Sequence, residues 1–105
     1  MVPCICINAK DKPDTIPDNK WVKEGSMYHI TFIYYHTLQG IQGVELKEIN
    51  LNGCDPYESY RLDRFAFTID GLKQLFNLMK TCTELNDLDV QKLIEKQKLI
   101  THDNS

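Results

Sequence analysis

The sequence predicts an α+β domain, a small and strongly curved antiparallel sheet of about four or five strands followed by two C-terminal helices. Three observations carry this. Residues 22–35 run from a turn at Gly25 into β-branched and aromatic residues, with Tyr28, Ile30, Phe32 and Tyr34 on one face by the two-residue repeat. From residue 70 the apolar spacing becomes helical, through Leu72, Leu75, Phe76, Met79 and Cys82. The length, 105 residues with 42% hydrophobic and 26% charged side chains, suits one domain with a single core. Residues 1–67 are expected to form the sheet, 68–100 the helices, and 101–105 a frayed tail.

Taken in order, residues 2–7 are apolar at both parities, as in a strand inside the sheet. Residues 8–20 are a polar connection holding Pro13 and Pro17, with Ile16 and Trp21 expected to pin its ends. A hairpin loop is expected at 36–42, with Gly40 inside it and Gly43 just after, then a strand over 44–51. In that strand Val44 and Leu46 oppose Ile49 and Leu51 in parity, which predicts a β-bulge near Lys47 or Glu48. Asn52-Gly53 is a turn signal, followed by a short strand over 59–65. The first helix spans 70–82, with Asp70 or Thr68 available as its cap, and a shorter one spans 89–98.

Composition narrows the function. A net charge of −3 supplies no general field for polyanions, which opposes nucleic-acid binding. The N-terminus lacks a basic segment and an apolar core of signal-peptide length, and no apolar run reaches membrane-span length. The expectation is a cytoplasmic protein with reduced thiols. Cys4-x-Cys6 is half of a zinc motif, for which Cys54, His29, His36 or His102 would have to complete the set. No second paired motif exists, and buried thiols serve as small core residues, so no metal or cofactor is expected. No hydrolase, P-loop or dinucleotide signature is present, and the spacing of the histidines builds no catalytic group.

The most suggestive constellation is Trp21, Tyr57, Tyr60, Arg61 and Arg64, aromatic and guanidinium groups gathered from two loops and a strand. Arginine suits a carboxylate or phosphate, and an aromatic face can stack a ring. The alternative is that Trp21 and Tyr60 cap the end of the core while Arg64 pairs with a carboxylate such as Glu48. The second face of the long strand, with Met27, Ile33 and Tyr35, needs cover from Leu75, Phe76 and Met79 or from a partner.

Three segments, Trp21-Val-Lys-Glu-Gly-Ser-Met-Tyr28, Gly43-Val-Glu-Leu-Lys-Glu-Ile49 and Tyr60-Arg-Leu-Asp-Arg-Phe65, resemble a layout found in small, largely uncharacterised phage and prophage proteins. The resemblance covers about two thirds of the chain and implies a compact SH3-like barrel of mobile-element origin. Many such proteins continue with Arg-Pro, whereas Ala66-Phe67 and a helical region follow here. The resemblance implies a non-catalytic binding module contacting a host or phage protein. Capture of a small phosphorylated ligand or nucleotide is the alternative, and nucleic-acid binding comes third.

Overall fold

The computed structural model describes residues 1–36, 41–83 and 85–100. Its six strands are β1 (Val2–Cys6), β2 (Met27–His36), β3 (Ile41–Leu46), β4 (Tyr60–Arg61), β5 (Phe65–Phe67) and β6 (Lys98–Leu99). Their order in the sheet is β4-β3-β2-β1-β5-β6. In a flat sheet β4 and β5 would stand four strand spacings apart, roughly 19 Å. A three-residue 3-10 turn, Leu62–Arg64, joins them, and at about 2 Å of rise per residue it covers far less than that. The sheet therefore curls into half a barrel, bringing its two sides together at this turn.

The α+β class, the curled sheet and the two C-terminal helices are as expected, while the strand details need correction. Residues 59–65 are not one strand: β4 pairs with β3, and β5 pairs with β1 on the far side. The sheet is mixed rather than antiparallel, because β6 runs parallel to β5 in the register Ala66↔Lys98. Lys98 is expected from the sequence to end the second helix. That helix, α2 (Asp87–Glu95), starts two residues early because Asn86 caps it, accepting from the Asp89 amide at 2.9 Å. It also stops early, and the chain returns to the sheet edge.

The bulge also falls elsewhere. Ile30 faces Leu46 but Phe32 faces Glu45, so the extra residue is Thr31 in β2. The inward row of β2 therefore runs Tyr28, Ile30, Ile33, and Phe32 is turned out at 40% exposure. On the partner strand Val44 and Leu46 face inward, and the strand ends before the parity conflict with Ile49 and Leu51 arises. Of the hairpin loop expected at 36–42, His36 ends β2 and Ile41 and Gln42 open β3, while residues 37–40, like the tail 101–105, lie outside the described residues.

As expected, β1 is interior, flanked by β2 and β5. Helix α1 (Ile69–Cys82) lies against β1, β2 and β5 and buries Leu75 and Met79. Thr68 caps it, its hydroxyl accepting from the Gly71 amide at 2.9 Å.

Candidate binding cleft

The loop of residues 8–20 is tied over one end of the half-barrel. Ile16 is buried beneath it, and three side chains from outside the loop donate to its backbone carbonyls. Trp21 Nε1 donates to Ala9 O at 2.8 Å, and Tyr60 Oη in β4 donates to Lys20 O at 2.7 Å. Arg64, at the end of the 3-10 turn, donates from Nη1 to Asn8 O and Lys10 O at 3.1 and 2.8 Å. Its guanidinium carbon lies 4.7 Å from the centre of the Trp21 ring, within cation–π range. The Trp21 and Tyr60 rings are 5.9 Å apart and inclined at 53°.

The remaining two residues stand outside this cluster. Tyr57 follows the turn at Gly53 and is 41% exposed. Arg61 is exposed and paired with Asp63 at 2.7 Å, an arrangement worth little to stability. All five residues singled out in the sequence nevertheless line one cavity of about 290 Å³, together with Asp11, Pro13, Ile16, Leu51 and Ser59. Those further lining residues carry no chemical signature that sequence reasoning could use, since the chain approaches the cleft through them only after the loop folds down.

Arg64 does not pair with Glu48, the carboxylate offered as an example in the capping alternative. Glu48 is held by His29, Nδ1 to Oε2 at 2.6 Å, and also accepts from the His29 amide. These hydrogen bonds keep its carboxyl below the ordinary range against the opposing effect of burial. Among the described residues no carboxylate lies within ion-pair distance of Arg64, although the residue is only 9% exposed and its Nε is buried without a hydrogen-bond partner. Burial, and then the nearby Arg61, pull the guanidinium pKa below its usual value.

Cys4 and Cys6 are both buried in the core. Burial, ahead of the nearby Glu48 and Cys6, pushes the Cys4 thiol up to about 12, and burial raises Cys6 as well. Among the described residues no three His, Cys, Asp or Glu side chains gather as a metal site would need. The side chain of His36 and all of His102 fall outside them. A larger hollow of about 400 Å³ between the helices, over Leu72, Phe76 and Ile94, contains no buried charge.

Compared with known families, characterised proteins and solved structures, the chain matches none. Among the described residues no helix is long and apolar enough to cross a membrane.

Proposed function

We propose that this chain is a non-catalytic binding module that holds a protein partner in the cleft between Trp21, Tyr57, Tyr60, Arg61 and Arg64. The observation that supports this most is the state of Arg64: a buried cation without a carboxylate, in the wall of a cavity with aromatic sides. A side chain serving only to staple a loop would be expected to find a counter-charge, because an uncompensated buried charge is costly. The resemblance to phage proteins favours a host or phage protein as the partner. Small-ligand capture is the second reading, since about 290 Å³ is just below the range of small-molecule sites. Nucleic acid is the weakest, with Asp11 among the lining residues and Asp63 tied to Arg61.

The test uses Tyr57→Ala and Arg61→Ala, which alter exposed side chains and leave the loop ties intact. A partner captured from lysate by the wild type and reduced at least about tenfold by both variants supports the reading. Capture insensitive to both overturns it. A thermal upshift with nucleotides and no captured protein would favour the small-ligand reading.

A further inference from the structure

A guanidinium has five N–H donors. In Arg64 the two hydrogen bonds to Asn8 O and Lys10 O both come from Nη1. Nε is buried with no acceptor, and among the described residues Nη2 donates to nothing. Nε is thus a donor that folding has desolvated and left unused, on a residue that lines the cavity and has Nη2 to spare. An acceptor delivered by a ligand would recover part of that cost, and an anion would recover most.

The charge balance sets which anion. The charged residues lining the cavity are Asp11, Arg61 and Arg64. Arg61 is already engaged by Asp63, which leaves Arg64, with no carboxylate at ion-pair distance among the described residues, and Asp11 on the same lining. One negative charge meets Arg64, whereas a phosphate dianion would bring a second against Asp11. Apart from Ser59, the rest of the wall, Trp21, Tyr57, Tyr60, Ile16, Pro13 and Leu51, is apolar or aromatic. It suits a ring or aliphatic group next to the anion.

We infer that the cleft selects a single carboxylate, an acidic side chain or chain terminus of a peptide with an aromatic or apolar group beside it, and that Arg64 reads its charge. This rests on the cleft being the binding surface proposed above.

The test is nitrogen-15 NMR of the whole chain, following the Trp21 indole and Arg64 Nε–H signals during titration with three probes. These are N-acetylphenylalanine, its uncharged amide and phenyl phosphate. The acid is expected to shift both signals saturably, with the amide at least about tenfold weaker and the dianionic phosphate weaker than the acid. Asp11→Asn, a change at an exposed residue, should tighten the acid about two- to fivefold by removing the opposing charge. Arg64→Met should abolish the preference for acid over amide, and if that variant does not fold, the Asp11→Asn result decides. Equal binding of acid and amide, an unchanged affinity in Asp11→Asn, or no shift with any probe overturns the inference. Partner capture that still depends on Tyr57 and Arg61 would leave the binding reading standing in each of those cases.

Discussion

Raising the pH should destabilise this fold through its core thiols, and Cys4 gives the scale. The side chain is 1% exposed, and burial moves its thiol from an ordinary 9.0 to about 12. The folded chain therefore keeps a proton that the unfolded chain releases across that interval. The contribution of the neutral thiol is fully present below about pH 9 and is lost as pH rises towards 12, at about 1.4 kcal/mol per unit and about 4 kcal/mol in all. That is a large part of the roughly 5–15 kcal/mol holding a domain of this size. Replacing Cys4 with Ala removes the titration at a cost of about 1–2 kcal/mol in lost burial at neutral pH. By pH 11 the wild type has lost roughly 3 kcal/mol that the variant has not. Urea unfolding of both proteins from pH 7.5 to 11 should show the variant less stable at first and the more stable above a crossing between about pH 9.6 and 10.5. Other groups that ionise at high pH, Cys6 and Tyr60 among them, are common to both proteins. Stability curves that run parallel to pH 11 would refute the reasoning, because the thiol would then cost the same to ionise folded or unfolded.

Three further changes test the fold around the cleft. Gly43→Ala would place a Cβ 2.9 Å from Ser59 Cβ and is expected to cost about 1–3 kcal/mol in thermal unfolding, with Ser59→Gly restoring part of it. Thr68→Ala removes the cap of α1 and should lower stability by about 1 kcal/mol in urea. Arg64→Ala severs two ties to the loop and the contact with Trp21. A net loss of about 2–3 kcal/mol is expected after relief of the buried charge, with faster proteolysis within residues 8–20.

The period-two reading of β2 fails at a specific place. It holds through Tyr28 and Ile30, then Thr31 is inserted and Ile33 takes the buried position expected of Phe32. Phe32 and Tyr34 are themselves apolar, so the sequence shows an unbroken alternation where the backbone has a break. The parity conflict in the next strand was legible, but the chain resolves it by ending the strand at Leu46. The segment 59–65, expected as one strand, does bury alternate residues at Tyr60, Leu62 and Arg64. Its backbone assignment is wrong, because a 3-10 turn following a strand can also bury alternate residues. Which strand each half joins is a long-range choice that local pattern does not encode. The membership of the cleft was legible because its aromatic and guanidinium groups are chemically distinctive. The fate of Glu48 was not, since its capture by His29 depends on the register of β2.

The cleft divides its five residues between two tasks. Trp21, Tyr60 and Arg64 each spend a donor on a carbonyl of the same loop, so substituting any of them perturbs loop position as well as binding. Tyr57 and Arg61 remain on the outside, with no tie to that loop. Loss of binding in the inner three would therefore be ambiguous, whereas loss in the outer two reports contact with a partner. Arg64 belongs to both groups: it holds the loop through Nη1 and retains Nε and Nη2 without acceptors. A carboxylate seated there should make the loop harder to open, so protection of residues 8–20 from proteolysis should rise with N-acetylphenylalanine and stay unchanged with the amide. Equal protection by both would mean that the ligand rests on the aromatic walls alone.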